Sequence, residues 1–263
     1  MTESIIEFPN SKAKLQERLQ AGRITWKWPV IMIFARFILA VLAQALVAGI
    51  FMLQGHITPW QAAAPWWPVY GTLIDIGSLV LLARLARREG IRLFDLINFQ
   101  RQRLGRDLLL GLGVFVIFMI LVFSGLMIFG PLIYGASPAP TPFSPLPMWG
   151  ALYALLVWPI LWATAEELTY QGYALPRLEV LSGRAWLAII IVGFGWALQH
   201  SVLPIMPDWR WAVYRFLSNI PIMLIMIFYL RTRPRRLFPF IFAHWAANFF
   251  GILVGIILPM MTP

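Results

Sequence analysis

Residues 28–53 read WPVIMIFARFILAVLAQALVAGIFML, an unbroken apolar run in which Arg36 is the sole charged side chain. A helix rises ~1.5 Å per residue, so about 20 apolar residues cross the ~30 Å hydrocarbon core of a bilayer. The run is longer than that, and longer than the ~7–15 apolar residues of a cleaved signal core. It reads as a retained membrane span, reached from a polar start that carries Glu3, Glu7, Lys12, Lys14, Glu17 and Arg18.

The same signal recurs along the chain. Apolar runs at 66–86, 108–133, 148–171, 185–203, 211–230 and 237–259 bring the expected number of spans to seven. Composition agrees: of 263 residues 60% are hydrophobic and only 12% charged, with a mean hydropathy of +0.75. Soluble domains run to about 45–50% apolar and ~25% charged residues. The expected fold is an all-α polytopic transmembrane bundle, with 1–27 a cytoplasmic segment and 28–263 one transmembrane domain. No internal repeat is visible. Cysteine is absent, which removes disulfides, thiolate zinc sites and a Cys nucleophile.

The net charge of +10 would suit nucleic acid if it formed a patch, but the Lys and Arg residues fall in short clusters between apolar runs. That is the pattern of cytoplasmic loops, and no nucleic-acid partner is expected. Lys12, Lys14, Arg18, Arg23 and Lys27 precede the first run, and Arg84, Arg87, Arg88, Arg92, Arg101, Arg103 and Arg106 follow the second. Arg177 and Arg184 lie between the fourth and fifth runs, and Arg231, Arg233, Arg235 and Arg236 between the sixth and seventh. The intervening loops at 55–65 and 131–147 carry no Lys or Arg, and 204–210 carries only Arg210, beside Asp208. The alternation puts the N-terminus in the cytoplasm and the C-terminus outside. Trp26, Trp28, Trp60, Trp66, Trp67, Trp149, Trp186, Trp209 and Trp211 sit at or near run ends, as an aromatic belt does, and His56 is an inert loop residue.

A charged side chain at the bilayer centre costs ~2.5–3.5 kcal/mol on insertion scales, so each polar residue at depth is a functional candidate. The set is Arg36, Gln44, Asp75, Glu166, Glu167, His200, Asn219, His244 and Asn248. Asp75 reads as a structural partner of Arg36 or Gln44, and Arg215 and Asn219 as helix-packing residues. His244 and Asn248 stand i, i+4 and share a helix face, so both can act on one substrate atom. Glu166 and Glu167 diverge by about 100° around their helix. Gln171, four residues beyond Glu167, can brace the second carboxylate and leave Glu166 for chemistry. Hydrolysis suits the set: Glu166 and His200 activate water, while His244 and Asn248 donate to the developing oxyanion. A lone intramembrane His is more often an interhelical hydrogen-bonder, so the reading rests on the set. A proton-coupled transporter is the alternative class, opposed by the absence of repeats.

Three stretches then resemble one family. Glu166-Glu167-Leu168-Thr169-Tyr170-Gln171 is similar to an EExxxR motif, Trp196-Ala197-Leu198-Gln199-His200 to FxxxH, and His244-Trp245-Ala246-Ala247-Asn248 to HxxxN. In that order they resemble the CAAX protease and bacteriocin-processing family of intramembrane endopeptidases, also called the Abi family, over about 149–250. The resemblance implies a catalytic carboxylate at Glu166, the second Glu at Glu167, the second-motif His at His200 and an oxyanion pair at His244 and Asn248. It implies membrane lipids and a peptide or membrane-protein substrate as partners, and an integral multi-pass location, here expected in a prokaryotic plasma membrane. Two residues depart from the pattern: Trp196 replaces Phe, and Gln171 replaces an Arg whose charge would hold Glu167 ionised. The second departure keeps a catalytically inactive scaffold or immunity protein as a further alternative. Glu166, His200 and His244 could also ligate zinc, and a metal-free glutamate mechanism is equally compatible.

Depth sets one condition. His244 lies roughly 10 Å inside the start of its run, whereas His200 lies roughly 22 Å from Ala185. They meet if the fourth and fifth helices project into the cytoplasm around 177–184, with Gly183 at the turn, which places the site in the cytoplasmic half of the membrane.

Overall fold

The structure is a computed structural model that describes residues 8–135, 137–232 and 235–261. Glu3, Glu7 and Arg233, named above, lie outside them. All regular structure among the described residues is helical. A short polar helix, α1 (Lys12–Gln20), starts where the Ser11 side chain accepts from the Lys14 backbone N–H, satisfying one of the free donors of a helix start. Then follow α2 (Lys27–Leu53), α3 (Trp67–Arg88), α4 (Leu104–Tyr134), α5 (Met148–Leu156), α6 (Trp158–Ser182), α7 (Ala185–His200), α8 (Trp209–Arg231) and α9 (Phe238–Met261).

Five segments are long and apolar enough to cross a membrane: Lys27–Leu53, Pro59–Arg88, Leu93–Tyr134, Trp209–Arg231 and Phe238–Met261. The fourth apolar run is broken: α5 and α6 meet at a bend of 41°. Pro159 follows the break at once, and proline removes a donor and clashes with the preceding turn. Taken as one span, the bent pair makes six. The remaining run of the seven, 185–203, is helical for only 16 residues as α7, because Pro204 disfavours helical geometry at the residue before it. Helix α4 faces outward with Val116, Ile120, Phe123 and Met127 exposed, and 17% of its most apolar stretch is buried. Apolar surface on that scale needs a lipid solvent.

The loops gather at two ends. At one end Glu89 accepts from Arg177 Nε at 2.7 Å and Nη2 at 2.6 Å, with Arg18 Nη1 at 3.5 Å. There too Arg235 pairs with Glu179 at 2.6 Å, Arg236 pairs with Asp107, and the Leu237 N–H donates to Ile97 O at 3.0 Å. All four Arg-rich segments are thus stitched together. At the other end Gln44 bonds to the 205 turn through Ile205 N and O, at 2.7 and 2.9 Å. Trp67 Nε1 donates to Pro142 O at 2.7 Å, and Arg210 lies over the Tyr134 ring at 5.4 Å. Arg-rich and Arg-poor loops therefore sit apart, as the charge alternation requires.

Two close approaches lock the bundle. A Cβ on Gly195 of α7 would stand 2.0 Å from Ile33 Cγ2 of α2, and one on Gly125 of α4 would stand 2.0 Å from Ser218 O of α8. Only glycine admits a neighbouring side chain or backbone so near. Gly183, at φ 66°, ends α6 in the left-handed region and turns the chain into α7, the turn expected from the sequence.

Candidate active site

Helix α6 carries Glu166 and Glu167 directly before a π-helical turn, Leu168–Ala174, a distortion found often at functional sites. Both carboxylates are buried, at 0% and 2% exposure. Gln171 Nε2 donates to Glu167 Oε2, the brace that the i, i+4 spacing predicts. The other oxygen, Oε1, lies 3.0 Å from His244 Nδ1. Glu166 is held from three helices. Trp196 Nε1 of α7 donates to Oε2 at 3.1 Å, Gln199 Nε2 donates to Oε1, His244 Nε2 of α9 lies 3.4 Å from Oε2, and Arg36 Nη2 of α2 lies 3.8 Å from Oε1.

His244 therefore stands on both carboxylates. The sequence reading placed it beside Asn248 as an oxyanion donor and gave His200 to Glu166. His200 makes no hydrogen bond to Glu166; its Nδ1 is 2.8 Å from Trp196 O. A carbonyl only accepts, so Nδ1 carries the hydrogen and the neutral ring keeps Nε2 as an acceptor. Asn248 Nδ2 is buried without a hydrogen-bond partner.

His200, His244 and Asn248 line one cavity of about 290 Å³, with Trp196, Phe118 and Arg215 also in its wall. Both histidines reach it because α7, at 16 residues, ends at His200. Glu166 is not in the cavity wall; it touches the cavity through Trp196 and His244, both of which are. Among the described residues no three His, Asp or Glu side chains stand close enough to hold a metal ion.

Sequence reasoning named the acids, histidines and Asn248, and did not foresee how Arg36, Gln199 and Trp196 support them. Arg36 pairs with Asp75 at 3.0 Å, as expected, but its Nε also donates to Gln199 Oε1 at 2.9 Å, and the guanidinium lies 4.4 Å from the Trp162 ring centre. Gln199 thus links the Arg36–Asp75 pair to Glu166. Its signal was an amide at membrane depth next to His200. Trp196 supplies a donor to Glu166 that a Phe there lacks. Arg215 and Asn219, read as packing residues, both line the cavity. Gln44 bonds to Tyr70 and the 205 turn and takes no part in the site.

Fold and site together define a multi-pass α-helical integral membrane protein whose paired buried carboxylates are joined by a histidine to one cavity. Within it, residues 146–250 match the family described as type II CAAX prenyl endopeptidase, Rce1-like. The matched stretch begins just before α5, ends in α9 and contains all five candidate residues: Glu166, Glu167, His200, His244 and Asn248. Among curated proteins and among solved structures, nothing matches the chain.

Proposed function

We propose that the protein is an intramembrane endopeptidase that hydrolyses a peptide bond with water activated by Glu166 and His200. The observation that carries this is the cavity walled by His200, His244 and Asn248, with Glu166 held directly behind its Trp196 and His244 wall. A peptide carbonyl enters the cavity. A water gives its proton to Glu166 Oε2 while His200 Nε2, the free acceptor, holds its second hydrogen. The 3.4 Å contact of His244 Nε2 with Glu166 is longer than the ~2.7–3.2 Å of a made N–H···O bond, so a small shift of His244, which stands between Glu166 and the cavity, opens Oε2 to the water. Asn248 Nδ2 and the protonated His244 ring donate to the tetrahedral oxyanion. Glu166 then returns the proton to the leaving amine. Glu167, fixed by Gln171 in place of the family's Arg, orients His244 through Nδ1.

The substrate class is a peptide near the C-terminus of a membrane-anchored protein, and the membrane is a prokaryotic plasma membrane. The direct test is cleavage of a synthetic prenylated CAAX peptide by the purified protein in detergent. Products ending at the CAAX cysteine are expected from the wild type, and their absence on every peptide tried refutes the proposal.

The clustering of Arg-rich segments at one end motivates the orientation, with the N-terminus cytoplasmic, seven crossings and the C-terminus outside. Reporter domains fused after Pro263 and inserted between Arg92 and Arg101 are expected on opposite sides of the membrane. Finding both on one side sinks this topology.

A further inference from the structure

We propose that Arg215 forms an anion subsite that receives the C-terminal α-carboxylate of the peptide substrate. The inference rests on the endopeptidase reading and specifies which end of the substrate the cavity holds. A buried cation is costly unless an anion accompanies it. Among the described residues the other buried arginines have one: Arg36 faces Asp75, while Arg18 and Arg177 face Glu89. Arg215 is buried to the same degree as Arg18, at 8% exposure, yet among the described residues no carboxylate pairs with it and its Nε has no acceptor. Trp211 lies 5.5 Å from the guanidinium, a cation–π contact that eases burial and supplies no anion.

The position is built. Gly125 lets α4 close on Ser218 of α8, and the side chains of Ser218 and Asn219 turn back on Arg215 O at 3.4 and 2.7 Å. Those two neighbours spend donors on their own helix, whereas the Arg215 side chain, in the wall of the same cavity, does not. A guanidinium matches a planar carboxylate with two parallel N–H donors. Apart from the histidines, Asn248 and a few small polar groups, the wall is apolar, with Trp67, Phe118, Phe143, Trp158 and Trp162 among it, which suits apolar side chains between the scissile bond and the terminus. About 290 Å³ lies at the small end of the ~300–1,000 Å³ of ligand pockets, a space on the scale of a few residues. Arg215 thereby confines cleavage to bonds a few residues from a free C-terminus.

The test uses the full-length protein in detergent, reading tryptophan fluorescence as it is titrated with the tripeptide Ala-Ala-Leu bearing a free carboxylate, or with its C-terminal amide. Charge-assisted hydrogen bonds are stronger than neutral ones, so the acid is expected to bind about 10-fold or more tightly. Arg215→Gln is expected to reduce acid binding to the level of the amide and leave the amide unchanged, and Arg215→Lys to keep part of the preference. Equal affinity of the wild type for acid and amide overturns the proposal, as does no saturable binding of the acid. Octanoate binding as tightly as the tripeptide also overturns it, assigning the site to lipid carboxylates. If Arg215→Gln does not fold, Arg215→Lys and the wild-type comparison of acid with amide decide. Acid-selective binding without cleavage of any peptide supports the subsite and counts against the endopeptidase reading alone.

Discussion

Glu166→Gln is expected to slow peptide cleavage by about 100- to 10,000-fold, the usual contribution of a positioned base, with a smaller cost in stability than the loss of the second carboxylate. The amide has the volume of the acid and keeps one acceptor oxygen, so of Trp196 and Gln199, which donate to separate oxygens of the carboxylate, one keeps its partner. Arg36 keeps its closer partner, Asp75 at 3.0 Å, when the charge at 3.8 Å is removed. What is lost is the lone pair basic enough to take a proton from water. Glu167→Ala makes the contrast: it strips acceptors from Gln171 Nε2 and His244 Nδ1, and each buried donor left unpaired costs about 1–3 kcal/mol. That variant is expected to lose stability and turnover together. Single-turnover rates and unfolding curves on the three proteins separate the cases, and a wild-type rate in Glu166→Gln would falsify the assignment of the base.

Asn248→Ala is expected to lower turnover by about 100- to 1,000-fold, or ~3–4 kcal/mol of transition-state stabilisation, the typical cost of one oxyanion donor. Stability should hold, since Asn248 Nδ2 has no hydrogen-bond partner to lose. Because the donor meets an oxygen that is charged only in the transition state, the loss falls on kcat with KM nearly unchanged. If Asn248 and His244 serve one oxygen, the double substitution to Ala costs less than the two single losses combined. Exhaustive chelation is expected to leave the wild-type rate intact, as no three donors converge among the described residues. Loss of activity with zinc recovered by elemental analysis would return Glu166, His200 and His244 to a metal site. Full turnover in Asn248→Ala removes that residue from the mechanism.

The helical membrane class, the charge-sorted loops and the Gln171–Glu167 brace were legible in the sequence, because each depends on short-range pattern. Hydropathy over ~20 residues and contacts at i, i+4 are properties of one helix, independent of its neighbours. The names of the candidate residues were legible for a related reason: a polar group at membrane depth is expensive and stands out. Their partners were not. Which imidazole meets which carboxylate depends on how α6, α7 and α9 are rotated and translated against one another, and close packing at glycines such as Gly195 sets that. So His244 came to Glu166 and Glu167, and His200 turned to Trp196 O. Tertiary structure alone also joined Arg36 through Gln199 to Glu166 across 163 residues of sequence. Arg215 is the sharpest case. Sequence marks it as a charge on an apolar helix, and only the packed bundle decides that no carboxylate among the described residues reaches it and that a cavity does.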